Sequence, residues 1–372
     1  MATFISCANQ SPKSDYQTSD QFSDGKFHNT LKVTSGSGNM HKIIWRYITD
    51  KRKEAVPAQP IPVRTLDRQT LIAENDNAPA LYRLGHSSLL LALEGDFWLV
   101  DPVFSERASP FSKFGPKRFH ATPIDLDDLP AIKGVIISHD HYDHLDKNTI
   151  SILKDKVEHF IVPLGVGDHL VKWQVDADKI QQLDWWQQIN IGNANITATP
   201  SQHFSGRGLM DSNQTLWASW AIKTPDISLF YSGDSGYFPG FKEIGERLGP
   251  FDLTVMENGA YNELWADIHM MPEETLQAHL DVKGQAMLPV HNSTFDLALH
   301  DWHEPLNRLN SLSQEMGVTM VTPTIGQRMA LSTNLSGTQT YQQRWWLQEQ
   351  QAHTKPETSK ARTVAKSEQP QS

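Results

Sequence analysis

The chain has 372 residues, enough for one large domain or two ordinary ones around a sizeable core. Its 33 Lys and Arg against 43 Asp and Glu leave a formal net charge of −10, which offers no basic footprint for nucleic acid. No stretch approaches the ~20 apolar residues that span a bilayer, and a single cysteine, Cys7, excludes intramolecular disulfides and cysteine-based zinc sites, so any metal must be held by His and carboxylates.

Residues 1–44 are rich in Ser, Gly, Asn and Asp and are expected to form a disordered tail. Within it, "FISCANQS" places Cys7 behind Ile5 and Ser6, as in the lipobox of bacterial lipoproteins, but the apolar stretch that precedes such a cysteine is missing. Two origins therefore fit: a protein of the bacterial cell envelope anchored through Cys7, or a cytoplasmic one with an ordinary thiol. The folded domain is expected over 45–335. It begins with an arm, a short helical candidate followed by the proline-broken "VPAQPIPVRTL". From Leu81, "YRLGHSSLLLALEGDFWLVDP" reads as two strands joined by a turn at Glu94-Gly95-Asp96. Further strand candidates are 134–138, 159–163, 194–200, 217–222, 227–234, 251–257 and 285–291. Helices are expected over 146–154 with Asp146 as N-cap, 240–248, 272–280 with Pro272 in the first turn, and about 302–316. Residues 336–372 are expected to be a second disordered tail, and no internal repeat of fixed period is visible. Strands interspersed with helices define an α/β (α+β) chain, and its unusual residues fall where strands end, the place such folds reserve for chemistry.

The densest of these places is "ISHDHYDHLD", 137–146. His139 and His141 are two apart and would point the same way on an extended segment. Asp143 and His144 follow where the chain turns toward a helix. Three other strand ends supply one group each: His203 in "TPSQHFSG", Asp234 in "FYSGDSG" and His291 in "MLPVHNST". Seven nitrogen and oxygen donors are too many for one tetrahedral zinc. They suit two ions, with His139, His141 and His203 on one, Asp143, His144 and His291 on the other, and Asp234 bridging; such a pair can share a hydroxide. Zinc is the leading candidate, but the donor set also accepts Mn or Fe.

This constellation resembles the metallo-β-lactamase superfamily. The blocks "LGHSSLLL", "LVDPVFSERASP", "FGPKRF", "TPSQHFSGRG", "YSGDSGYFPGF" and "HMMPEE" resemble, more narrowly, the branch of N-acylphosphatidylethanolamine-hydrolysing phospholipase D and its bacterial relatives. The likeness runs from about Leu81 to Gly326, while the first 80 residues match poorly. It implies a four-layer αββα sandwich with a dizinc centre and hydrolysis of a phosphodiester by water, with a phospholipid or other phosphodiester as substrate, association with a membrane surface and no nucleic-acid partner. Asp143 and Asp234 would then be catalytic as well as ligating, and His269 would touch the phosphoryl oxygens. The plainer alternative for His269 is a surface histidine near a helix start. Asp101, which closes "FWLVDP", would hold a ligand histidine in one tautomer, or else is a turn residue before Pro102. His86 is expected to hydrogen-bond near the site without ligating, and Arg207 to bind a phosphate or form a loop salt bridge. Lactone, thioester or other ester hydrolysis on the same site is the alternative chemistry. A non-catalytic envelope lipoprotein that binds lipid or metal is the alternative outside enzymes.

Overall fold

The computed structural model describes residues 16–33, 52–75, 78–208, 210–333, 335 and 339–347, with 42, 45, 46 and 49 between them. Cys7 lies outside the described residues. A small hairpin comes first, β1 (Phe22–Ser23) and β2 (Lys26–Phe27), turning through the positive φ angles of Asp24 and Gly25.

The leucine-rich run after residue 79 makes three strands rather than the two expected: β3 (Ala80–Gly85), β4 (Ser88–Leu93) and β5 (Asp96–Val100). Glu94 and Gly95, both at positive φ, form the anticipated two-residue turn. The extra break is at Gly85, φ +121°, where a Cβ would meet the His120 ring at 2.7 Å. Every residue of β3 and β4 is buried, the pattern of strands covered on both faces. Burying each leucine contributes about 1.5–3 kcal/mol relative to leaving it exposed. β6 (Ile132–Ile136), β7 (Val157–Pro163) and β8 (Ile180–Leu183) extend this sheet in parallel.

The second sheet runs β9 (Gln188–Ile191), β10 (Ala194–Thr199), β11 (Ser219–Lys223), β12 (Ser228–Tyr231), β13 (Phe251–Glu257), β14 (Gly284–Val290) and β15 (Thr319–Met320). β16 (Arg328–Ala330) returns to pair with β3. The orders β16-β3-β4-β5-β6-β7-β8 and β9-β10-β11-β12-β13-β14-β15 are wound alike, four antiparallel strands and then parallel ones. The two halves thus share a topology that shows no matching period in the sequence.

One apolar cluster lies between the sheets, holding Leu91, Trp98 and Ile136 from one and Trp220, Tyr231 and Leu253 from the other. On the outer face of the first sheet, helices α1 (Arg68–Glu74), α2 (Lys147–Leu153) and α3 (Val166–Lys172) cover a second cluster. On the outer face of the second, α4 (Gly240–Arg247), α5 (Pro272–Asp281) and α6 (Glu304–Met316) cover a third. The architecture is the four-layer αββα sandwich. No helix among the described residues is long and apolar enough to cross a membrane.

Among the described residues, parts of both expected tails are packed. Phe27 is completely buried in the inter-sheet cluster, with Tyr16 and Phe22 packed beside it. Trp345 and Trp346 are buried against the outer face of the second sheet. Polar composition averages over these aromatic residues, yet each finds apolar surface to cover.

Candidate metal centre

β6 ends at Ile136; His139 follows it just before a bend at Asp140 and His141, and His144 closes a turn over Tyr142–His144, so the histidines are not all carried on the extended segment expected. The His144 and Leu145 amides donate to the His141 carbonyl at 3.1 and 2.8 Å and coil the loop. Asp146 then caps α2 by accepting from Asn148 N–H at 3.0 Å. Arg207 braces the same loop: its guanidinium donates to the carbonyls of Asp140 (2.5 Å) and Leu145 (2.7 Å) and stacks 4.0 Å over Tyr142. One arm of the guanidinium, Nη1, is thereby committed to backbone.

His203 follows β10, Asp234 follows β12 and His291 follows β14 directly, so all four segments meet at one edge of the sandwich. His139, His141, His203 and Asp234 each place one donor atom within 4.8 Å of the others, and so do His86, Asp143, His144 and His291. Asp234 Oδ2 links the two sets. It lies 3.0 Å from His291 Nε2, 3.2 Å from His144 Nε2, and 3.8 Å from Nε2 of both His139 and His203. Asp143 Oδ2 is 3.2 Å from His291 Nε2 and 3.6 Å from His144 Nε2. The arrangement is that of two adjoining cation positions with one carboxylate between them.

Asp234 Oδ1, His144 Nε2 and His291 Nε2 are buried without a hydrogen-bond partner. Such orphaned polar atoms are costly unless something fills the gap, and a divalent cation that displaced the imidazole protons would take all three. The donors, nitrogen and oxygen only, fit that cation. Burial first, then the neighbouring imidazoles, pushes His139 well below the usual histidine range, and burial does the same to His203; neutral imidazole is the ligating form. Burial opposes charge on Asp143 and Asp234, but His144 and His291 outweigh it; these two carboxylates in turn raise His144 and His291 despite burial, so in the empty site the two imidazoles hold protons that a bound cation would displace.

Asp101 is completely buried at the end of β5. Its Oδ2 accepts from His144 Nδ1 at 2.7 Å, Tyr231 O–H at 2.5 Å and the Ser138 hydroxyl, and its Oδ1 accepts from Ser138 N–H at 2.7 Å. This fixes the proton of His144 on Nδ1 and leaves Nε2 for the site. His86 Nε2 is 3.0 Å from Asp143 Oδ2, which makes it a neighbour of the second set. His269, half-buried, has its ring 5.1 Å from that of His203 and 5.2 Å from that of His291.

Glu257 was not singled out in the sequence. Completely buried at the end of β13, it accepts from His269 Nδ1 at 3.0 Å, Met270 N–H at 2.7 Å and Ser235 N–H at 3.2 Å. Its oxygen joins a third group of possible donors with Asp234, His269 and His291. Burial, the largest influence, raises its pKa despite the opposing pull of His269. The only hint in the sequence is an acidic residue ending an otherwise apolar strand.

A two-sheet sandwich with paired His and Asp clusters at its edge defines a metal-dependent hydrolase, and the profile of the β-lactamase superfamily domain matches residues 98–292. The chain belongs to the metallo-β-lactamase superfamily. Among its relatives, an uncharacterized protein of Mycobacterium tuberculosis is 42% identical over 84% of this chain and 85% of its own. N-acyl-phosphatidylethanolamine-hydrolyzing phospholipase D 1 of Caenorhabditis elegans is 35% identical over 62% of this chain and 68% of its own. An isothiocyanate hydrolase from Delia radicum gut bacteria has the same fold, with a TM-score of 0.54 at 20% identity over 68% of this chain and 100% of its own.

Proposed function

We propose that the protein is a phosphodiesterase of phospholipase D type acting on N-acylphosphatidylethanolamine-like phospholipids, with two metal ions, zinc foremost, held by the seven residues named above. The kinship with the nematode phospholipase D supports the reaction class. The observation that carries the lipid substrate is exposed apolar surface near the ligand loop. Phe111 lines the cavity beside that loop and is 64% exposed, Phe114 on the same segment and Met210 on the segment after His203 are 72% and 90% exposed, and Phe204 meets the His141 ring edge-on at 4.5 Å. Arg107, Lys113 and Lys117 share the Phe111 loop, so apolar rings stand among cations on a chain of net charge −10. That pairing suits acyl chains and phosphate together. A cavity of about 770 Å³ opens beside the ligand loop, lined by Phe111, Tyr142, Trp173 and Lys147 among others.

When bound, the ions would activate water and neutralise the nonbridging phosphoryl oxygens. Asp234 would hold both ions, and Asp101 keeps His144 in the ligating tautomer. Glu257, accepting from His269 Nδ1, orients the ring so that its imidazolium form would offer Nε2–H to a phosphoryl oxygen, where a donor stabilises developing charge. No serine or cysteine nucleophile is required.

The test is to load the purified chain with zinc, manganese or iron and offer N-acylphosphatidylethanolamine, a simple phosphodiester, a lactone and a thioester. Release of N-acylethanolamine and phosphatidate, abolished in Asp234→Asn, is the expected result. Turnover of the lactone or thioester alone, or none with any substrate, would overturn the reading in favour of the corresponding alternative.

A further inference from the structure

The metal centre has a brace from a part of the chain that lies far outside the family match, which begins at residue 98. Asn29 reaches the loop that carries His203 and hydrogen-bonds it on both sides of the peptide. Its Nδ2 donates to the His203 carbonyl at 2.7 Å, and its Oδ1 accepts from the His203 amide at 3.0 Å. The same Oδ1 accepts from Trp217 Nε1 at 3.0 Å, and Trp217 is buried in the inter-sheet core. The His203 ring is fixed separately by a contact of 3.0 Å between Nδ1 and the Ile268 carbonyl, which turns Nε2 toward His141 at 3.2 Å. Backbone and ring of this one residue are therefore both held, and among the described residues the backbone hold comes from Asn29.

Asn29 is itself well placed to bear load. Two residues earlier, Phe27 is completely buried between the sheets and its amide donates to the Asn213 carbonyl at 2.8 Å. Asn213 in turn accepts on its side chain from the Ser205 amide at 3.2 Å. At the far end of the segment, Tyr16 donates to Asp168 at 2.9 Å. Residues 16–29 thus form a strap anchored at both ends, with the doubly bonded amide of Asn29 under a proposed ligand.

We infer that Asn29 is a positioning residue of the metal centre, setting His203 for the ion shared with His139, His141 and Asp234. The inference rests on the dinuclear reading above. A hydrogen-bond partner that orients a ligand typically changes metal affinity by about 10–100-fold when removed. The effect belongs to one of the two ions, because no residue of the other set touches Asn29 in these contacts.

The test is a stepwise cobalt(II) titration of the full chain, followed by the cobalt visible spectrum, for wild type, Asn29→Ala and Tyr16→Phe. The wild type is expected to bind two equivalents. In Asn29→Ala, one binding step weakens by about 10–100-fold with a changed spectrum, and the other step stays in place. Tyr16→Phe, which loosens the strap without touching His203, leaves both steps unchanged. Hydrogen exchange of the His203 amide in the metal-free protein is expected to quicken in Asn29→Ala alone. Should Asn29→Ala not fold, Asn29→Asp keeps the acceptor, loses the donor to the His203 carbonyl and is expected to weaken the same step. Two unaltered steps in the Asn29 variants, or equal weakening of both, would overturn the inference and leave Asn29 a fold staple. Failure of the wild type to take two equivalents would instead overturn the dinuclear reading.

Discussion

Asp101→Asn isolates the tautomer argument, because the amide matches the carboxylate in size. In the native protein four donors converge on this one carboxylate: Ser138 N–H on Oδ1, and the Ser138 hydroxyl, His144 Nδ1 and Tyr231 O–H on Oδ2. A backbone N–H can only donate, so the amide oxygen must stay at the Oδ1 position. The NH2 group then faces the other three. The two hydroxyls can rotate and accept, but His144 must surrender its Nδ1 proton or leave two donors facing each other. The proton moves to Nε2, the nitrogen 3.2 Å from Asp234, and removes the lone pair a metal needs. Losing one charge-assisted hydrogen bond costs about 1.5–3 kcal/mol. At about 1.4 kcal/mol per decade this is roughly 10–100-fold in affinity for the ion that His144 holds. Metal-binding titration of wild type and Asp101→Asn, with thermal melting of the metal-free proteins as a control on folding, measures it. Wild-type affinity for both ions in a folded Asp101→Asn protein would refute the tautomer argument.

Glu257→Gln should leave metal content unchanged and lower kcat about 10–100-fold by freeing the His269 ring, a loss seen by steady-state kinetics beside metal analysis; an unchanged kcat would detach Glu257 from the reaction. His279, on the buried face of α5 with Nδ1 2.7 Å from Thr254 Oγ1, is pushed down to about 4 by burial. The unfolded chain, with an ordinary value near 6.5, binds this proton first as pH falls, so stability is full above about 6.5 and declines toward 4. The shift corresponds to roughly 3 kcal/mol at its limit. Urea denaturation of the metal-free protein between pH 7 and 4 should therefore slope less steeply in His279→Gln, and parallel curves would contradict the burial argument.

The seven proposed ligands were legible because each sits at a strand end in a recognisable local pattern, and strand ends of an α/β fold converge on one edge. Asp101 was legible for the same reason, with Pro102 marking where its strand stops. Glu257 was not, since "FDLTVME" reads as a strand whatever its last side chain meets. Its function depends on the segment around His269 folding over the end of β13, a pairing across 12 residues of loop and turn. Asn29 was still less visible. Its partner is 174 residues away, and its neighbours have the polar composition of a tail. The missed third strand before residue 94 turned on Gly85, whose backbone angle is set by the packing of His120 rather than by its sequence neighbours. Helix α3 was overlooked because its seven residues lie behind Gly165 and contain Gly167.

The candidate metal position straddles the seam between the two sheets, and this would give bound metal a second role. His139, His141, Asp143 and His144 hang from the first sheet, whereas His203, Asp234 and His291 hang from the second. Beneath them the seam is sewn by Tyr231 to Asp101, by Trp220 Nε1 to the Ile137 carbonyl at 3.1 Å and by Ala218 N–H to the Ser138 carbonyl at 3.0 Å. A metal ion bound there would act as a rivet between two leaves. At 100 times its dissociation constant each ion would add about 2.7 kcal/mol to the folded state. Linkage runs in both directions, so a core substitution that lets one leaf slide on the other must loosen the ions even when it lies far from them. Metal affinity becomes a gauge of leaf alignment, and stripping the ions is the step that would let the leaves part.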